Sequence, residues 1–227
     1  METIIKISGV SKIYRLGAER VIALDNINLS ISKGEFCCFL GTSGSGKSTL
    51  LNIIAGLEKP SRGSIKIKNT FIEKLDEEKL AYFRQKYVGF IFQAYNLINY
   101  LDAVENVALP LAFSGVSKKV RVKKSVEILR NVGLSSHLKH KPVQMSGGQQ
   151  QRVGIARALV SNPEIIFADE PTGNLDSNTT KEVLELMTCV TRRNNQTLVM
   201  VTHDVNIAKR ADKIVYIIDG KIERIEE

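Results

Sequence analysis

Apolar and polar residues alternate along Thr3 to Gly9 and again along Val21 to Ile31, the period-two pattern of half-exposed antiparallel strands. Phe36-Cys37-Cys38-Phe39-Leu40 is apolar throughout and reads as a strand buried on both faces. Ser48 to Ala55 then repeats its apolar residues with the period of a helix packed on one side. A loop over Glu58 to Gly63 leads to an alternating strand at Ser64 to Lys68, and Asp76 to Gln85 reads as a helix before a short buried strand at Val88 to Phe92.

Between about 94 and 161 the strand pattern disappears. Helical periods run over Leu101 to Phe113, broken by Pro110, over Ser117 to Asn131 and over Ser146 to Leu159. Strand and helix alternate in the remainder: Glu164 to Ala168, Ser177 to Arg193, Thr197 to Val201, Asp204 to Lys209 and Lys213 to Ile218. That alternation predicts an α/β fold with a mainly parallel sheet and right-handed crossovers, N-terminal antiparallel strands and an inserted helical subdomain. The core would be about 1–93 and 162–227, and the helical subdomain about 94–161. No internal repeat or low-complexity linker interrupts the pattern.

Chemistry enters first at Gly41-Thr42-Ser43-Gly44-Ser45-Gly46-Lys47-Ser48, two glycines bracketing four residues, then Lys and a hydroxyl. Its flanks are the strand and helix that the motif requires. In such a turn successive N–H groups converge on phosphate oxygens at the positive end of a helix dipole. Lys47 then neutralises the β- and γ-phosphates, and Ser48 offers its hydroxyl to Mg²⁺. The core is therefore expected to be of the P-loop NTPase type.

Two further motifs follow. Ile165-Ile166-Phe167-Ala168-Asp169-Glu170 is a buried strand that delivers two carboxylates at its C-terminal end, where open α/β sheets bind ligands. Asp169 is suited to hold Mg²⁺, and Glu170 to accept a proton from an attacking water. Met145-Ser146-Gly147-Gly148-Gln149-Gln150-Gln151-Arg152 makes a second helix start able to bind an anion. One nucleotide needs a single cradle, so the second would cap the γ-phosphate of a nucleotide held by another subunit, or else Ser146 is a simple N-cap.

Composition sets bounds on these readings. The 227 residues suffice for a substantial core. No stretch approaches the roughly 20 apolar residues of a membrane span, and no signal-peptide core opens the chain, so a cytosolic chain is expected. Cys37, Cys38 and Cys189 lack metal-ligand spacing and read as small core hydrophobes. The net charge of +8 comes from lysines scattered over many segments, with a modest cluster at Lys118 to Lys124; a solvated helix face accounts for it, with attraction to an anionic membrane as the alternative.

In order and approximate spacing these motifs resemble the ATP-binding subunit of ABC transporters over essentially the whole chain. The resemblance implies that Gln93 is the Q-loop glutamine sensing Mg²⁺ and the attacking water and contacting the transmembrane partner. It implies that Asn174-Leu175-Asp176 is the D-loop at a dimer interface, and that His203 is the switch histidine at the γ-phosphate. Nucleotide contacts carry over to Tyr14, which is similar to the family's adenine-stacking aromatic residue, to Gly41, Thr42, Ser43, Gly44, Ser45, Gly46, Lys47, Ser48 and Thr49, and to Ser146, Gly147, Gly148, Gln149 and Asp176. Metal contacts carry over to Ser48, Gln93 and Asp169. Met145 departs from the family's usual leucine, a swap that preserves apolar packing.

Ala103-Val104-Glu105-Asn106-Val107-Ala108-Leu109-Pro110-Leu111, Gln149-Gln150-Gln151 and Pro171-Thr172-Gly173-Asn174-Leu175-Asp176 look like the branch of MacB-like and lipoprotein-releasing ATPases. The resemblance implies ATP hydrolysis with Mg²⁺, a head-to-tail homodimer, a membrane permease as partner and a place at the cytoplasmic face of the membrane, without direct nucleic-acid binding. A soluble ABC-type ATPase acting on nucleic acid or ribosomes is the alternative, and a nucleoside or small-molecule kinase a third. Residues 94–101 carry several large apolar and aromatic side chains in a loop, and are expected either to receive the permease or to fill the seam between subdomains.

Overall fold

The computed structural model of the chain describes residues 2–17 and 19–227. In chain order its elements are β1 (Thr3–Leu16), β2 (Glu19–Ser32), β3 (Phe36–Leu40), α1 (Lys47–Ile54), β4 (Arg62–Ile67), β5 (Thr70–Phe71), α2 (Glu77–Tyr87), β6 (Val88–Phe92), α3 (Ala103–Phe113), α4 (Lys118–Asn131), α5 (Gly147–Leu159), β7 (Ile165–Asp169), α6 (Ser177–Arg193), β8 (Thr197–Thr202), α7 (Val205–Ala208), β9 (Lys213–Ile218) and β10 (Lys221–Glu226). They pack as two compact units, one holding the chain up to Arg84 together with Asn195–Glu227, the other Gln85–Asn194.

In the first unit β1 pairs antiparallel with β2 on one side and β4 on the other, and β5 follows at the edge. β3 instead lies parallel to both β8 and β9, while β10 adds antiparallel to β9. Side chains explain the difference. Every residue of β3 and β8 is buried, as parallel strands covered on both faces require. β2 instead turns Leu24, Ile27, Leu29 and Ile31 inward and leaves the residues between them wetter. Burial pushes the Cys38 thiol up to about 12 and the Cys37 thiol well above its ordinary value, so both behave as small hydrophobes. Cys189 is exposed, which corrects its expected place in the core: it lies on the outer face of α6.

The second unit pairs β6 parallel with β7, with Phe90 stacked on Phe92 and tilted against Phe167. Its helices bury Ala103, Val104, Val107, Leu111, Leu129, Val153 and Ala156 in one cluster. Each large apolar side chain buried this way contributes about 1.5–3 kcal/mol. Asp102 caps α3 in a capping box with Glu105. The buried Asn106 ties the preceding loop onto that helix: its Oδ1 accepts from Ile98 N–H at 2.8 Å, and its amide donates to the carbonyls of Ile98, Leu101 and Asp102 at 3.1 Å.

α3 runs through Pro110 rather than breaking there. The proline falls in the final turn, and the Ser114 N–H and hydroxyl close that turn on the Pro110 carbonyl at 3.1 and 2.8 Å. No described helix is long and apolar enough to cross a membrane.

Candidate nucleotide site

β3 delivers the chain into the turn over Gly41 to Ser48. Gly46 has φ +100°, and a Cβ there would lie 2.5 Å from the Ala23 carbonyl oxygen, so only glycine fits without strain. Gly46 is also the N-cap of α1, which therefore has no capping side chain, and no acidic residue stands in its first turn. α3, α5 and α6 differ: Asp102, Ser146 and Asp176 accept from their first-turn N–H groups. First-turn N–H groups find no partner inside their own helix, and they carry the positive end of its dipole.

The buried Lys47 folds back into the turn, donating to the Thr42 carbonyl at 2.5 Å and lying 3.5 Å from the Ser45 hydroxyl. Backbone donors, a helix N-terminus and a compact cation, with no carboxylate in the helix's first turn, fit a polyphosphate. Ser48 and Thr49 stand in that same first turn.

Tyr14, on β1, donates its hydroxyl to Glu58 Oε2 at 2.7 Å and also bonds Thr49. The Lys12 ammonium lies 5.0 Å above its ring and pairs with Glu58 at 3.1 Å. The ring is thus fixed beside the first turn of α1 from one side. His203 follows β8, and because Leu40 and Thr202 are register partners, Gly41 and His203 leave the sheet at the same C-terminal edge.

The second unit repeats this geometry with other residues. Phe92 and Asp169 are register partners in β6 and β7, so Gln93 and Glu170 emerge side by side. Glu170 is left-handed, φ +41°, and it precedes Pro171. Gly173 N–H donates back to the Glu170 carbonyl at 3.0 Å and Leu175 N–H to that of Thr172 at 3.1 Å, which fixes a tight turn after the strand.

Ser146 is an N-cap in the structure: Gln149 N–H donates to its hydroxyl at 3.3 Å, and its own N–H donates to Gln149 Oε1 at 3.0 Å. Gln149 Nε2 lies 3.1 Å from His137 Nε2. A Cβ at Gly148 would collide with the Thr179 methyl group, and one at Gly147 would sit 2.8 Å from the Tyr95 hydroxyl. Asp176 caps α6; the Thr179 hydroxyl at 2.5 Å and the N–H groups of Thr179 and Asn178 hold its carboxyl below the usual range. The start of α5 and the turn that opens α6 are therefore in direct contact.

Arg157, absent from the sequence reading, and Tyr95 and Gln151, which it gave other or no individual roles, matter here. Arg157 donates to the carbonyls of Tyr95 at 2.7 Å and Asn96 at 2.5 Å, two consecutive left-handed residues. Tyr95 lays its hydroxyl against Gly147. Gln151, wholly buried, donates to the Pro171 carbonyl at 2.6 Å. The available signal was a polar residue on an apolar stripe: Gln151 stands three, four and seven residues before buried Gly154, Ile155 and Ala158. The loop 94–101 divides accordingly. Tyr95 packs on Gly147 and Leu97 against the helical cluster, whereas Tyr100 is 74 % exposed.

Residues 24–173 match the family described as ABC transporter. An ABC transporter ATP-binding protein of Methanocaldococcus jannaschii, MJ0796, is 47% identical over 227 residues, covering 98% of this chain and 97% of that one. The macrolide export ATP-binding/permease protein MacB of Hahella chejuensis is 44% identical over 221 residues, which make up 97% of this chain and 34% of that larger protein. The dimeric post-hydrolysis structure of MJ0796 bound to ADP and Pi superposes with a TM-score of 0.91 at 46% identity, covering 98% of each chain. The turn around Lys47, the strand end at Asp169 and, in the other unit from Asp169, His203 thus belong to a chain of the ABC transporter family, an ATP-hydrolysing, ATP-binding subunit.

Proposed function

We propose that two copies of this chain close head to tail around two MgATP and drive a membrane permease, in the manner of a MacB-like exporter or mechanical transducer. Each site would combine Lys47, Ser48, Gln93, Asp169, Glu170 and His203 of one copy with Ser146 and Gly148 of the other. The observation that carries this reading is the start of α1, where the N-cap is glycine and Lys47 turns its ammonium into the loop.

The Ser48 hydroxyl, the Asp169 carboxylate and the Gln93 amide would hold Mg²⁺, which would supply charge neutralisation at the phosphates. Glu170 takes the proton of the attacking water, and His203 steadies the γ-phosphate. Tyr14 offers an aromatic face to adenine. Ser146, Gly147, Gly148 and Gln149 present the second anion-binding N-terminus, and Asp176 belongs to the facing interface. The helical segment of about 94–161 is the subdomain that receives the permease, which holds the chain at the cytoplasmic face of the membrane. The MJ0796 structure is dimeric, and MacB is an ATP-binding/permease protein; both support the assembly.

The family match lends nothing to an ATPase acting on nucleic acid or ribosomes. Affinity purification of this chain from detergent-solubilised membranes tests the partner: a multispanning permease in stoichiometric amount is expected, and recovery of ribosomal or nucleic-acid complexes instead would sink the reading.

A further inference from the structure

Gln151 makes one hydrogen bond and leaves one group unmatched. Its Nε2 donates to the Pro171 carbonyl at 2.6 Å, while its Oε1, fully buried, has no hydrogen-bond partner among the described residues. An orphaned buried acceptor costs more than a neutral hydrogen bond returns. An apolar side chain of the same shape would remove that orphan but leave the Pro171 carbonyl without its donor, exchanging one unpaired acceptor for another, so the amide is explained by what it holds.

What it holds is the turn that aims Glu170. A residue before proline is disfavoured in helical conformations, and a non-glycine residue with positive φ is strained in addition. Glu170 combines both, at φ +41° before Pro171. Such a conformation persists where its surroundings over-determine it. Here the Gly173 N–H fixes the Glu170 carbonyl at 3.0 Å, and Gln151 fixes the next carbonyl along the chain. Pro171 has no N–H to donate, and its carbonyl is paired by the amide from α5.

We propose that Gln151 is a positioning residue for Glu170: it holds the strained turn after β7 so that the Glu170 carboxylate keeps its place for proton transfer. This rests on the reading of Glu170 as the general base. It also makes α5, which begins at the Ser146 motif, the rigid support of the catalytic turn in the same unit.

The test is steady-state MgATP hydrolysis and thermal melting of the purified chain. Gln151→Met keeps the shape and removes the donor. Its kcat should fall at least tenfold, since a misplacement of about 1 Å can cost on the order of a hundredfold. KM should stay within a factor of about two and the melting temperature should change little, because the unpaired Gln151 oxygen and the newly unpaired Pro171 carbonyl offset each other, a combination that loss of mere packing does not produce. Should melting fall as well, Gln151→Glu decides. A buried carboxyl keeps its proton at neutral and lower pH and can then donate to the Pro171 carbonyl, so turnover relative to wild type should be retained there and lost as pH rises. Wild-type kcat in Gln151→Met, or a Gln151→Glu variant equally slow at every pH, overturns the inference. Glu170→Gln separates the two readings: normal turnover in it removes the general base itself, whereas a slow Glu170→Gln beside a normal Gln151→Met removes only the role of Gln151.

Discussion

Asn174 donates its side-chain N–H to the Gln93 carbonyl at 3.0 Å, and the Gln93 amide returns to Asn174 Oδ1 at 3.4 Å. A Cβ at the intervening Gly173 would lie only 2.6 Å from Gln93 Nε2, so the two segments meet with no room to spare. The residue expected to sense the metal and the turn that follows Glu170 are thus one piece of structure. A shift of Gln93 must move the turn or break this pair.

Lys47→Ala removes the cation that folds into the turn. Its replacement cannot reach the phosphates, and charge-assisted hydrogen bonds of this kind are worth about 1.5–3 kcal/mol each. ATP affinity, measured by titration with a fluorescent analogue, should fall by roughly a hundredfold or more. Fold should persist, because the lysine contacts a loop carbonyl and hydroxyl rather than the apolar core. Near-native affinity would refute the P-loop assignment.

Glu170→Gln retains the shape of the turn and loses the base. Turnover should drop roughly 10²–10⁴-fold while ATP still binds. The variant should accumulate as an ATP-bound dimer, since hydrolysis is what reopens the interface. Sizing chromatography with and without ATP reads this directly: a variant that stays monomeric at saturating ATP would argue against closure around two nucleotides.

The parts of this molecule that could be read in advance are those whose signal is local. β3 and β7 are continuous apolar runs, α1 follows a glycine turn, and Ser146 announces α5 as a cap. β1 runs past Gly9, which the alternation concealed: its register shifts between Ile7 and Val10 and again before Ile13 and spoils the strict period. β10, Lys-Ile-Glu-Arg-Ile-Glu, is a charged edge strand without a fully buried side chain. Gln151 and Arg157 escaped for a different reason. Both donate to backbone carbonyls far away in sequence, and no spacing rule encodes such a bond.

Glu58 should couple stability to acid. Burial pushes its carboxyl up, but the Tyr14 hydroxyl and the Lys12 ammonium outweigh that and hold it below its usual value of 4.5. A carboxyl depressed in the folded state stabilises above the unfolded value, and that contribution is lost as pH falls from about 4.5 through the lower folded value. The group is half-buried at the surface and still partly screened by water, so the contribution is about 1 kcal/mol. Tyr14→Phe should flatten this acid limb in melting curves taken from neutral pH downward, while keeping the aromatic face and hence ATP affinity. A parallel shift at all pH values would point to lost packing instead.

Tyr100 provides the sharpest test of where the permease docks. Leu97 is packed against the helical cluster and Tyr95 lies on Gly147 with its carbonyl held by Arg157, so a charge at either position strikes the fold itself. Leu97→Arg should destabilise by about 2–4 kcal/mol, visible as an earlier unfolding midpoint. Tyr100 is different: at 74 % exposure its ring gains little from this chain, and Tyr is among the residue types enriched at the energetic centres of protein contacts. Tyr100→Glu should leave melting and intrinsic ATP hydrolysis close to wild type yet weaken co-purification with the permease by tenfold or more, since a central aromatic anchor is worth about 2 kcal/mol or above. Undiminished recovery of the permease with Tyr100→Glu would move the docking site away from the segment after Gln93.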